Sequence, residues 1–231
     1  MKAVLFDLFG TLVDNATVAQ VSSLHKALAD VLGVSHKEFA DGWVATFQER
    51  SRGEHGSMLG SIAAAASRCS VTYDESALPR AAEIRYEFTR EWLTARPDAV
   101  ETLTELRNRG LKIGLLSNCT GEVPLIWPSI TLAPVIDEPL FSCQEGLRKP
   151  MPEFFDRGMA RLHVSASECL YVADGDNGEL ATAKKLGMPV VMIRPSGLLN
   201  DYRQDPEEDW DGPRIERLSE LLDLEILKYI A

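Results

Sequence analysis

The run Ala3-Val4-Leu5-Phe6 ends abruptly in Asp7, which is followed by Leu8-Phe9-Gly10-Thr11. Consecutive apolar residues of this kind read as a strand buried on both faces, the pattern of a parallel sheet. A Gly-Thr turn directly after it puts the Asp7 carboxylate at the carboxyl edge of that sheet, where open α/β sheets bind their ligands. There a carboxylate serves as a nucleophile or a metal ligand. Taken alone, the segment is equally compatible with a core strand closed by a capping Asp, so the rest of the chain has to decide.

Further short apolar runs follow at 111–117, 140–142, 169–173 and 189–193, and with 3–8 they are the strand candidates. Helical patterns separate the last four. One spans 98–109, with Val100, Leu103 and Leu106 on one face and Gly110 as its stop. A second spans 152–162, with Phe154, Phe155 and Met159 toward the core, and a third spans 178–186, ended by Gly187. This alternation predicts an α/β fold with a doubly wound parallel sheet, Rossmann-like in its core.

The stretch between the first two strands is far longer than one crossover helix needs. Its periodicity is helical: Val21, Leu24, Leu28 and Val31 share a face, as do Phe39, Trp43 and Phe47 after a capping-box pattern at Ser35 and Glu38. Leu59, Ile62 and Ala66 continue the pattern, followed by Ile84, Phe88 and Trp92. Residues 15–96 are therefore expected to form an inserted α-helical cap domain, with 1–14 and 97–231 as the α/β core domain. The site would lie between them, and cap motion would gate water and substrate. The stripe Phe39-Trp43-Phe47 is expected inside the cap's own core. The acidic segment 201–211 is expected as a solvated loop before a last helix near 215–224.

A chain of 231 residues that is 45% hydrophobic can bury a full core. Its net charge of −11 argues against nucleic acid and against an anionic membrane surface as partners. A local phosphate site is still compatible with that charge, because a lysine, a divalent ion and helix N-termini make a positive pocket in an acidic protein. Cys69, Cys119, Cys143 and Cys169 show no paired metal-binding spacing and read as reduced thiols. No run approaches the roughly 18 apolar residues of a membrane span, and the N-terminal apolar stretch is too short for a signal-peptide core. The expectation is a soluble cytoplasmic protein, monomer or homodimer, whose partner is a small molecule, with no nucleic acid and no membrane.

Beyond Asp7, residues with chemical potential recur near strand ends. Ser117-Asn118 follows the second run, and Lys149 sits in Gly146-Leu147-Arg148-Lys149-Pro150. Asp174 closes Tyr171-Val172-Ala173, with Glu179 at the start of the next helix. In this order the set resembles the haloacid dehalogenase-like hydrolases, a superfamily dominated by magnesium-dependent phosphatases, over nearly the whole chain. The resemblance implies Asp7 as a nucleophile that forms an aspartyl-phosphate. It also implies Mg²⁺ held by Asp7, Asp174, the backbone carbonyl of Phe9 and Glu179. The family commonly has Asp at the last of these positions, and Asp176 in the same loop is a possible substitute. Lys149 would neutralise the phosphoryl group, and Ser117, Asn118 and Thr11 would contact it. Arg148 is expected as a surface charge.

Phe9 departs from the pattern. Family phosphatases usually carry a second Asp there, the general acid–base, whose contribution is about 10²–10⁴-fold. Three readings follow: a phosphatase of a small phosphorylated metabolite that works without that Asp, a carbon–halogen hydrolase of the 2-haloacid type, or a catalytically weak binding or regulatory protein on the same scaffold. The haloacid enzymes also lack the second Asp, but they need no metal and usually replace the acid that Asp174 supplies. In the loop 50–56, Arg50, Arg52 and His55 are candidate substrate contacts, with His55 a conceivable replacement acid, against the plainer reading of an exposed connector. His25, His36 and His163 read as ordinary surface or helix residues, and Cys119 as a thiol near the site that nothing activates.

Overall fold

The computed structural model describes residues 1–195 and 207–228. Strand β1 (Ala3–Phe6) is buried along its whole length and lies between two parallel neighbours. These are β2 (Lys112–Ser117) and β4 (Cys169–Ala173); β3 (Glu138–Phe141), β5 (Val190–Ile193) and β6 (Arg214–Ile215) complete the order β3-β2-β1-β4-β5-β6. All pairs are parallel. Successive residues alternate between two apolar layers, as the pleat requires. Val4, Phe6, Ile113, Leu115, Leu170 and Val172 pack on one face, and Ala3, Leu5, Leu116, Tyr171 and Ala173 on the other.

Eleven α-helices accompany the sheet among the described residues: α1 (Val18–Leu32), α2 (His36–Ala45), α3 (Phe47–Ser51), α4 (Met58–Ala66), α5 (Leu78–Trp92), α6 (Ala99–Asn108), α7 (Glu122–Ile126), α8 (Ser142–Glu145), α9 (Pro152–Leu162), α10 (Glu179–Lys185) and α11 (Glu225–Lys228). The first five lie between β1 and β2 and hold a separate apolar cluster built on Leu24, Leu28, Phe39, Ile62 and Ala81. The chain enters and leaves this helical segment side by side. Val13 pairs with Ala95, and the Arg96 guanidinium donates to the Gly10 carbonyl at 2.8 Å while lying 3.1 Å from Asp14.

Three local features differ from expectation. Ser35 caps α2 by accepting from the Glu38 N–H, but the Glu38 carboxylate turns away to Ser70, so only half of the capping box forms. The tail holds no single helix at 215–224. It forms β6, a 3₁₀ segment (Leu218–Asp223) and α11, because Leu218 and Leu221 reach the core at a three-residue spacing that a tighter turn serves equally well. Of the acidic segment, 201–206 lies outside the described residues. Glu207 is no solvated charge: its carboxylate accepts from the N–H groups of Leu180 (2.8 Å) and Ala181 (3.1 Å), two orphan donors at the start of α10.

Candidate active site

The sheet register sets the site. The Asp7 N–H donates to the Val172 carbonyl at 3.0 Å, extending the β1–β4 ladder by one residue and bringing Asp7 level with the end of β4. Asp174 follows directly. Gly10 turns the chain at φ +82°, and a Cβ there would run into the Asp174 carboxylate, so this close approach requires glycine. Glu179 opens α10 beside them. Oxygens of Asp7, Asp174 and Glu179, all three residues buried, lie within 4.8 Å of one another.

Lys149 binds the cluster together. Its ammonium donates to Asp7 Oδ1 and, at 2.6 Å, to Glu179 Oε2. Asp7 Oδ2 accepts from the Thr11 hydroxyl at 2.9 Å, and Glu179 Oε2 also accepts from Tyr171 Oη at 2.6 Å. Asn118 fixes the lysine's main chain from both sides, donating to its carbonyl at 3.0 Å and accepting from its N–H at 2.8 Å. The Asn15 amide holds Asp174 Oδ2 at 3.0 Å.

Three carboxylates cluster here, two of them on a single ammonium, and the titration follows. Burial, with the charges of Asp7 and Asp174, pushes Glu179 up to about 8 against the pull of Lys149. Burial would lower the Lys149 ammonium, but the charges of Asp7 and Glu179 outweigh it and hold its pKa above the ordinary lysine value. An excess of buried negative charge made of hard oxygen donors fits a small divalent cation such as Mg²⁺.

Above the cluster lies a cavity of about 140 Å³. The inserted helices give it an aromatic wall of Trp43, Phe47, Phe88 and Trp92, which Phe9 joins from the core. The Phe9 and Trp92 rings lie 4.3 Å apart. Arg50 and Arg85 line the same cavity. Arg50 is buried over the Trp43 ring at 3.6 Å and donates to Thr46 Oγ1 and to the Trp43 carbonyl. Arg85 reaches from α5 to Glu122 on α7 at 2.6 Å, and Glu122 also accepts from the Thr120 hydroxyl at 2.6 Å.

Asp7, Phe9, Asn118, Lys149, Asp174, Glu179 and Arg50 all border the cavity, and Thr11 supports Asp7 from behind. Ser117 is fully buried at the end of β2 and is not a wall residue. Arg52 pairs with Glu54 and His55 lies 3.3 Å from Glu49, and neither borders the cavity. Arg148 is buried near the Phe47 ring, where an exposed charge was expected, and burial lowers its pKa. The aromatic stripe divides: Phe39 is core, Trp43 belongs to that core cluster and also borders the cavity, and Phe47 is cavity wall.

His25 corrects the expectation of an ordinary helix residue. It is buried against Phe39 and Trp43 and borders the cavity, and burial aided by Arg85 and Arg50 depresses its pKa to about 4. Arg85, Glu122 and Tyr171 do not stand out in the sequence. The last has one usable signal: a tyrosine in a strand buried on both faces needs a polar partner for its hydroxyl.

The family model for haloacid dehalogenase-like hydrolases matches residues 1–187, and the chain belongs to that family. It is therefore a hydrolase of this type on a Rossmann-like α/β fold. Over 131 residues it is 32% identical to the glyceraldehyde 3-phosphate phosphatase of Methanocaldococcus jannaschii, covering 55% of each chain. The chain thus spans about half the length of that relative. It is 29% identical over 246 residues to the ribulose-1,5-bisphosphate 5-phosphatase of Halopiger xanaduensis, covering 96% of this chain and 98% of that one. A crystal structure described as that of a dehalogenase matches with a TM-score of 0.63 at 26% identity, covering 96% of both chains.

Proposed function

We propose that this protein is a magnesium-dependent phosphatase of a small phosphorylated metabolite, acting through an aspartyl-phosphate on Asp7. The observation that carries the reading is the convergence of Asp7, Asp174 and Glu179 within 4.8 Å of one another, with Lys149 bonded to Asp7 and Glu179. Asp7, Asp174, Glu179 and the Phe9 backbone carbonyl would hold Mg²⁺, which when bound supplies positive charge to the phosphoryl oxygens and aligns them. Asp7, held on one oxygen by Lys149 and on the other by Thr11, is fixed for in-line attack. As the Asp7–phosphorus bond forms, the bond from phosphorus to the leaving oxygen breaks. Water then attacks phosphorus, releasing phosphate and restoring the Asp7 carboxylate. Lys149 offsets the charge that gathers on the phosphoryl group. Asn118 serves this step by setting the main chain of Lys149.

Residues 15–96 act in this account as the cap, and the organic part of the substrate occupies the aromatic cavity beside Arg50 and Arg85. Arg52 and His55 take no part. Phe9 offers no proton, so esters with stable leaving groups are favoured. The phosphatase relatives support the reading, and four free cysteines suit a reducing cytoplasm. The ring of Phe9 at the cavity, with the dehalogenase likeness, favours a second reading: attack on carbon with release of halide. Hydrolysis of a nitrophenyl phosphate with Mg²⁺, with a chelator and in Asp7→Asn tests the choice. Activity lost in both of the latter supports the phosphatase. Chelator-resistant halide release from a 2-haloacid would replace it.

A further inference from the structure

The loop after β2 and the short helix α8 after β3 carry one cysteine each, and both face the same point. Cys119 and Cys143 place their Sγ atoms 4.0 Å apart. The two segments are already stapled, since the Cys119 N–H donates to Ser142 Oγ at 2.9 Å and that hydroxyl donates to the Cys119 carbonyl at 3.2 Å. Cys119 is buried and borders the cavity, whereas Cys143 is half-buried. We propose that Cys119 and Cys143 form an oxidation site that closes as a disulfide in the presence of a hydroperoxide.

Cys143 is the first to react because it is the accessible one. Its thiol is also the more acidic: the hydrogen bond with Cys119 lowers its pKa, while burial raises that of Cys119. The Cys143 thiolate attacks the hydroperoxide, the O–O bond breaks, and an alcohol leaves with formation of a sulfenic acid. Cys119 then attacks that sulfur, expelling water and forming the S–S bond. In sum, two thiols and one hydroperoxide give one disulfide, one alcohol and one water.

Bonding requires the sulfurs to approach by about 2 Å. That movement strains two neighbours that matter. Asn118, adjacent to Cys119, clamps the main chain of Lys149. Gly53, in the loop after α3, lies so close to the Cys143 carbonyl that a Cβ there would overlap it. Closure would therefore disturb both the lysine and the seat of the helical segment, and lower the hydrolytic rate. The bond itself stands without the proposed function; only the effect on rate rests on it.

The test treats the reduced protein with equimolar hydrogen peroxide, for which the alcohol product is a second water. Peptide mass analysis should find Cys119 linked to Cys143 with the loss of two hydrogens, including in a Cys69→Ser/Cys169→Ser protein. Hydrolysis of a nitrophenyl phosphate should fall by more than half and return with dithiothreitol. Cys143→Ser should keep its basal rate and lose the peroxide response. Peroxide-treated protein with Cys143 oxidised to sulfinic acid and no linked peptide would overturn the site. A linked peptide with an unchanged rate, in protein that hydrolyses the ester, would overturn its effect on activity.

Discussion

Replacing Phe9 with Asp should convert this site into one that protonates its leaving group. Phe9 borders the cavity next to Asp7, and its ring packs 4.3 Å from that of Trp92. Losing that contact costs about 1 kcal/mol, and losing the apolar area of a partly buried ring costs about 1–2 kcal/mol more. The new carboxylate is also added beside the cluster of Asp7, Asp174 and Glu179, which holds one ammonium; that raises its pKa toward that of a useful acid and adds to the destabilisation. A total loss of roughly 2–4 kcal/mol is expected, so folding must first be verified by a urea melt. On alkyl phosphates, whose alkoxides need a proton, kcat should rise about 10²-fold. Nitrophenyl phosphate should change little. The alkyl-to-aryl ratio is the informative quantity, because general damage moves both rates together. A folded Phe9→Asp protein with an unchanged ratio would refute the claim that Phe9 occupies the acid's place.

Glu122→Gln should cost about 3 kcal/mol in urea unfolding, since it leaves the Arg85 charge without its counter-ion in a buried contact between α5 and α7. A paired Arg85→Met/Glu122→Leu change should recover most of that, and a Glu122→Gln loss below about 0.5 kcal/mol would show that the pair is not coupled. His25 predicts a dependence of stability on pH. Its folded pKa of about 4 lies below the ordinary histidine value of 6.5, so within that window the unfolded chain binds a proton that the folded chain does not. Stability therefore falls as pH drops from about 6.5 to 4, by at most about 3 kcal/mol. His25→Gln should remove that part of the difference between pH 7 and pH 4.5, and an identical slope in both proteins would contradict it.

The parts of the fold that are legible in the sequence are those in which one local pattern decides the outcome. A parallel strand buried on both faces must read as an apolar run, and Asp7 and Asp174 stand out because each interrupts one. Lys149 can be placed in order along the chain, but its bonds to Asp7 and Glu179 join residues 142 and 30 positions away. The cavity wall is harder to read. Trp43 and His25 lie on apolar helix faces, and periodicity shows that a face is covered without showing whether core or cavity covers it. Arg50 sits at the start of what resembles a polar connector, yet it is buried by stacking on Trp43. The α10 cap from Glu207 depends on a contact between distant segments that no local pattern encodes.

The central claim, that Asp7 attacks phosphorus, is tested most directly by following isotope through repeated turnover in water enriched in heavy oxygen. If Asp7 carries a phosphoryl group, water attacks phosphorus. The label should then appear in the released phosphate and be absent from the peptide containing Asp7. If Asp7 instead carries a carbon ester, water attacks the carboxyl carbon, and heavy oxygen in the Asp7 side chain would contradict the account.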